Sequence, residues 1–211
     1  MALFEKSLTS STGSAPSNDM KDRILDSFED LLLFNGERAT TIEQVAEHCG
    51  ITRGGLIYHF ASRHELLEAF IARLQQAGVE SSGNLLMAPE GPVERYILSA
   101  GPPLSRIDRT MLAAARLAND ENPRIREVLL QLHRQWVRVL TTSTGDEALS
   151  RLLLLLGDGV LFHSSMTGKP FALGEEPATG ERQEREELIE LVRDLIRWRG
   201  AQRPGEQGLL G

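Results

Sequence analysis

Residues Thr52 to Phe60, TRGGLIYHF, gather an unusual set of groups for so short a stretch. A hydroxyl, a guanidinium, a phenol and an imidazole surround two glycines. A guanidinium early in a helix matches the O6 and N7 acceptors of guanine bidentately. A hydroxyl and free backbone N–H groups at a helix start suit phosphate oxygens. Each of Gly54 and Gly55 costs about 0.8–1.0 kcal/mol relative to alanine in a helix interior, but lets backbone approach another surface closely. The chemistry in view is hydrogen bonding to a polar, anionic partner. No other set competes. His48, His59 and His64 fit no recognised metal-ligand spacing, so no metal is expected. The chain lacks G-x-S-x-G, H-E-x-x-H, a Walker loop and G-x-G-x-x-G, so no catalytic residue, cofactor or enzymatic activity is expected.

Helices must position these residues, because apolar residues recur at helical spacing along nearly the whole chain and no period-two strand stands out. The expected class is all-α. Ile24, Leu25, Phe28, Leu31 and Leu32 mark a first helix from Asp19 to about Asn35, ended by Gly36. Thr41 followed by Gln44 is a capping-box pattern opening a second helix of about two turns, with Val45, Ala46 and Cys49 on its inner face and Gly50 as its stop. Cys49 reads as a small core residue in preference to a thiol sensor. The TRGGLIYHF stretch forms the third helix. Ser62 and Glu65 cap a fourth, whose stripe of Leu66, Leu67, Phe70, Ile71 and Leu74 runs to about Gly78.

A short helix, a glycine-containing turn and a second helix form a helix-turn-helix, whose second helix lies in the DNA major groove. TTIEQVAEHCGITRGGLIYHFASRHELLEAF also resembles the N-terminal region of the TetR/AcrR family of one-component transcriptional repressors. Thr41, Gly50, Thr52, Gly54, Leu56, His59, Phe60, Ser62 and Leu66 fall where that family's pattern expects them. Arg63 stands for the usual lysine, Ile57 for a common tyrosine with Tyr58 one place later, and Glu43 occupies a position that is often basic. The resemblance implies that Thr41 and Arg63 grip phosphates, while Thr52, Arg53, Gly54, Gly55, Tyr58 and His59 face the groove. Leu56 and Phe60 would face the core. It further implies a homodimer on double-stranded, palindromic operator DNA, released by a small-molecule effector.

Charge sets a condition on this reading. The net charge is −7 over 211 residues. Within residues 19–78, Lys21, Arg23, Arg38, Arg53, Arg63 and Arg73 face ten acids. DNA affinity rests heavily on neutralised phosphates, so a lone unit is expected to bind weakly and a dimer to be required. A helical protein-interaction module that has lost DNA binding is the alternative.

Residues 1–18 read as a disordered arm, 19–78 as the DNA-binding domain, 79–200 as a larger helical effector-binding and dimerisation domain, and 201–211 as a flexible tail. ESSGNLLMAPEGP, from Glu80 to Pro92, reads as the connection. Further helices are expected over Val93–Ala100, Arg106–Asn119, from Pro123, over Glu147 to about Gly168 and over Glu181 to about Arg199, with KPFALGEEPATG a loop. Leu152 to Leu156 leave no polar face for over a turn, so that helix reads as buried on most sides. With Leu153, Gly157, Leu161 and Ser164 it would meet Leu188, Leu191, Leu195 and Trp198 of the last helix; the pair either caps a monomer core or forms a four-helix dimer interface. Met111, His133, Trp136, His163 and Met166 serve as core packing or as walls of an effector pocket. No run approaches the ~20 apolar residues of a membrane span, the start lacks a signal-peptide pattern, and a single cysteine fits a reducing compartment; a cytoplasmic protein without membrane contact is expected.

Overall fold

Capping groups punctuate the chain where the sequence places them. The computed structural model describes residues 16–100, 104–118, 122–167 and 180–202. Among these the backbone forms α1 (Pro16–Asn35), a 3-10 turn (Glu37–Ala39), α2 (Ile42–Cys49), α3 (Arg53–His59), α4 (Arg63–Leu86), α5 (Pro92–Ser99), α6 (Arg106–Leu117), α7 (Pro123–Thr144), α8 (Glu147–Thr167) and α9 (Gly180–Ala201), with no strand. The all-α class holds. Residues 16–18, assigned to the arm, instead begin α1. Residues 1–15, residues 168–179 with most of the expected loop, and residues 203–211 lie outside the described residues.

The chain divides into two compact units, residues 1–70 and 71–211. The division falls inside α4, which runs on through the segment read as a connection. Gly78 does not stop this helix. A Cβ there would come within 2.2 Å of the Leu132 side chain, so glycine serves close packing against α7. Burial of Ala77 and Leu85 on the same helix outweighs the weak propensity of Gly78 and Gly83.

In the first unit, α1 packs against α2 and α3. Ile24, Phe28 and Leu32 of α1, Val45 and Ala46 of α2, Leu56 of α3, and Leu66 and Phe70 of α4 are buried. The Phe28 and Phe70 rings meet edge to face at 5.5 Å. At the start of α2 the Gln44 N–H donates to Thr41 Oγ1 at 3.3 Å, and the Thr41 N–H donates to Gln44 Oε1 at 3.2 Å, completing the capping box. Gly50 closes α2 in the left-handed conformation (φ 74°, ψ 29°), which a side chain disfavours. Arg23 reaches across from α1 to donate to the Cys49 carbonyl at 3.2 Å, a cation at a helix C-terminus.

In the second unit, α7 and α8 pack together across a two-residue link, Gly145-Asp146. Val93 and Ile97 of α5, Leu140 of α7, Leu149 and Leu153 of α8, and Ile189 and Val192 of α9 share one buried cluster. Asp146, 2% exposed, ties the start of α8 to α9. Its Oδ1 accepts from the N–H groups of Ala148 and Leu149, capping α8. Its Oδ2 accepts from Arg199 Nε on α9 at 2.8 Å. Arg193 on α9 makes a second link, to Glu94 on α5, at 2.6 Å.

Losing the Asp146 carboxylate strands a guanidinium and uncaps α8. Asp146→Ala is therefore expected to lower stability by about 3 kcal/mol, read from urea denaturation followed by circular dichroism. A change within 0.5 kcal/mol, by order of magnitude that of an ordinary surface site, would show that the ion pair contributes little.

Candidate nucleic-acid interface and cavity

The third helix is seven residues long, too short to persist in water by itself. Its position comes from its ends and one face. Thr52 Oγ1 accepts from the Gly55 N–H at 3.0 Å, Leu56 is fully buried, and Phe60, just past the last turn, is 4% exposed. The opposite face is open. Thr52, Arg53, Gly54 and Tyr58 are exposed, Tyr58 at 86%, with Gly55 and His59 half-buried beside them. The rings of Tyr58 and His59 meet edge to face at 5.2 Å.

Among the described residues nothing requires glycine at positions 54 and 55. A Cβ at Gly54 would come no closer than 3.9 Å to Thr52 Oγ1, and one at Gly55 no closer than 3.4 Å to the same atom. Neither glycine has a positive φ. The bare backbone is thus a property of the outward face.

Arg53 is paired. Its Nε lies 2.7 Å from Glu43 Oε1, with both side chains over 60% exposed. A hydrogen bond to its own backbone N–H in the first turn of α2 holds the Glu43 carboxyl below its usual range, with Arg53 adding to the effect. Thr41, exposed at the N-cap of α2, keeps the place expected of it, but its hydroxyl is engaged in the capping box. Arg63 turns inward: it donates to the Thr40 carbonyl and lies 3.9 Å from Glu37. The residue expected to grip a phosphate therefore braces the start of α4 against the turn ahead of α2. The Ser62 cap forms as expected, with the Glu65 N–H donating to Ser62 Oγ at 3.2 Å. The Glu65 carboxylate accepts from Ala61, one residue earlier than a capping box would have it.

The second unit holds a cavity of about 550 Å³ lined by residues of α4 to α8. Met111 and Trp136 line it. His133 does not line it but stands behind Trp136, ring centroids 6.0 Å apart, with Nε2 3.6 Å from Asp158 Oδ2. His163 is half-buried and away from the cavity wall. The side chains of Met166 and Ser164 lie outside the described residues. Tyr96, Asp108 and Asp158 also line the cavity, and sequence reasoning missed them. Asp158 carried a signal: it is the lone acid in the apolar run LLLLLGDGVLF. Burial pushes the Asp158 carboxyl up, opposed by His133. Burial likewise raises Asp108, against its bonds from Ser105. The Tyr96 phenol is raised by burial and by both aspartates, and donates to the Leu154 carbonyl at 3.3 Å.

Three residues assigned to a dimer interface face inward. Leu153 is 1% exposed in the core; Gly157 and Leu161 line the cavity. A Cβ at Gly157 would come within 2.5 Å of the Tyr96 ring, so this glycine admits a neighbour from its own chain. Leu188 and Leu195 are partly buried against the same core. Leu191 and Trp198 stay exposed, at 64% and 56%. The outward face of α8 is instead Leu152, Leu155, Gly159 and Phe162, spaced three or four apart on one side.

Residues 24–70 match the family model described as bacterial regulatory proteins, tetR family. Over 62 residues the chain is 31% identical to the HTH-type transcriptional regulator SrpR of Pseudomonas putida, 29% of each chain. The chain spans less than half the length of the curated relatives it matches. The fold is similar to that of a TetR-family regulator from Rhodococcus sp., at 18% identity and a TM-score of 0.60, covering 84% of this chain and 99% of the other. It is also similar to the multidrug binding protein EbrR complexed with malachite green, at 20% identity and a TM-score of 0.56, covering 81% and 96%.

Replacing both Gly54 and Gly55 with alanine is expected to leave stability unchanged or raise it by up to about 2 kcal/mol, while weakening DNA binding. Urea denaturation beside a DNA-binding titration checks both halves. A double variant that is less stable yet binds as well would make the glycines a requirement of the fold alone.

Proposed function

We propose that this chain, which belongs to the TetR family through its residues 24–70, works as a homodimeric repressor on a palindromic operator and is released by a small molecule. The observation that carries the proposal is the open face of α3. Arg53, Tyr58 and two uncrowded glycines point outward while Leu56 anchors the helix from behind. Thr52, Arg53, Tyr58 and His59 would reach base edges, and Thr41 with the N-terminus of α2 would meet phosphate. In this role Arg53 exchanges Glu43 for guanine. Arg63 contributes by fixing α4, and touches phosphate only if DNA draws it from Thr40.

Dimerisation answers the acidity of the first unit, because two modest contacts in successive major grooves act together. The exposed stripe Leu152, Leu155, Gly159 and Phe162, with Leu191 and Trp198 of α9, supports a four-helix interface between two copies. The cavity supports a ligand-responsive role, as does likeness in fold to a protein seen with malachite green. Ligand binding would favour a spacing of the two reading heads that no longer fits the operator, a population shift. Such work belongs in the cytoplasm; among the described residues no helix is long and apolar enough to cross a membrane.

Footprinting and salt titration on the DNA upstream of the protein's own gene test the reading. Protection of a two-fold site is expected, with affinity falling steeply as salt rises. Salt-insensitive, sequence-blind behaviour would instead favour a protein-interaction module, the reading the acidic unit otherwise supports. The double variant Leu155→Glu, Leu191→Glu is expected to sediment as a monomer and to lose operator binding by roughly a hundredfold or more. A monomer that binds a half-site as tightly as the wild type binds the full site would refute the need for a dimer.

A further inference from the structure

The cavity combines features that select a ligand by charge. Trp136 is 4% exposed and lines the cavity, yet its indole N–H has no hydrogen-bond partner among the described residues. A buried donor left unsatisfied costs about 1–3 kcal/mol. The Tyr96 and Trp136 rings lie 6.5 Å apart, tilted at 52°, along the same wall. Rings of this kind attract a cation through their π faces.

The charges are arranged by depth. Asp108 is held by Ser105, accepting from its N–H at 2.9 Å and its hydroxyl at 2.6 Å. Among the described residues Asp158 meets only the Nε2 of His133, at 3.6 Å, and that group carries charge only when protonated. The cations lining the cavity lie further out: Arg95 is exposed and paired with Glu90 at 2.9 Å, and Arg106 is exposed at the start of α6. Asp158 is thus a half-buried carboxylate beside two aromatic rings, with His133 as its one close partner among the described residues. Burial raises its protonation range, and His133 opposes that rise.

Resting on the effector-binding reading above, we infer that the cavity takes an organic cation of drug size, with Asp158 as its counter-ion and Tyr96 and Trp136 as its aromatic walls. The volume of about 550 Å³ lies within the usual range for such ligands. An anion of the same size and shape is disfavoured, because it would meet Asp158 and Asp108 while Arg95 is already paired with Glu90.

Tetraphenylphosphonium and tetraphenylborate are close in shape and opposite in fixed charge, and triphenylphosphine oxide is a neutral companion. Calorimetric titration of the full-length protein is expected to show the phosphonium binding at least roughly tenfold more tightly than either of the others. Asp158→Asn should weaken the phosphonium by about tenfold while leaving the neutral oxide unchanged, and Asp158→Glu should retain binding. Thermal melting of Asp158→Asn no lower than wild type would show that the loss is not unfolding. Equal or tighter binding of tetraphenylborate, or an Asp158→Asn variant that binds the phosphonium normally, would overturn the inference. If the phosphonium binds in this pattern without releasing operator DNA, the cation site stands and the effector reading fails. If the borate alone releases the operator, the effector reading stands and the cation inference fails.

Discussion

Burial of Leu56 and Phe60 is the constraint on which the outward chemistry of the first unit depends. A helix of seven residues with two glycines has neither the length nor the propensity to form in water. It exists because two apolar side chains four residues apart, one at its centre and one at its C-cap, are taken out of water where α3 packs against α1 and α2. At about 1.5–3 kcal/mol for each large apolar side chain, their burial outweighs the glycine penalty. That leaves the other face outside the apolar core, so beyond the Thr52 cap and the Arg53–Glu43 pair its composition is open to whatever approaches from outside.

Much of this was legible in the sequence because local rules and core demands agree there. Thr41 with Gln44, Thr52, Ser62 and Gly50 each satisfy backbone groups whose positions follow from the chain alone. Agreement failed where a residue type has two uses. Gly78 reads as a stop by propensity, but tertiary packing uses it for the approach of Leu132. Arg63 reads as a surface cation, but its reach lets it satisfy the Thr40 carbonyl from 23 residues away, a contact that spacing does not reveal.

Helix α8 illustrates the harder ambiguity. Periodicity identifies a face only when the opposite side is polar, and LLLLLGDGVLF is apolar all round. Both Leu153, Gly157, Leu161 and Leu152, Leu155, Phe162 are acceptable inner faces by pattern. The choice comes from Tyr96, whose ring fills the space a side chain at Gly157 would need. The stripe left outside is then broader than a monomer needs, and Leu152 and Leu155 are over half exposed where continuous burial was expected. The cavity residues were obscure for a related reason: Tyr96, Asp108 and Asp158 come from three helices, and only packing brings them together.

The contact between Arg53 and Glu43 changes what the outward face offers to a passing polyanion. A guanidinium already facing a carboxylate at 2.7 Å presents little net attraction to an indifferent phosphate. In the proposed role it would be given up most readily to an acceptor pair whose geometry rivals the carboxylate it leaves, with Glu43 then standing nearby as a repulsive charge against a poorer fit. Such a residue would act as an internal competitor, of modest strength because the pair is exposed. The acidity of this unit would then work as a filter: strength of adhesion is surrendered so that the difference between right and wrong partners is larger.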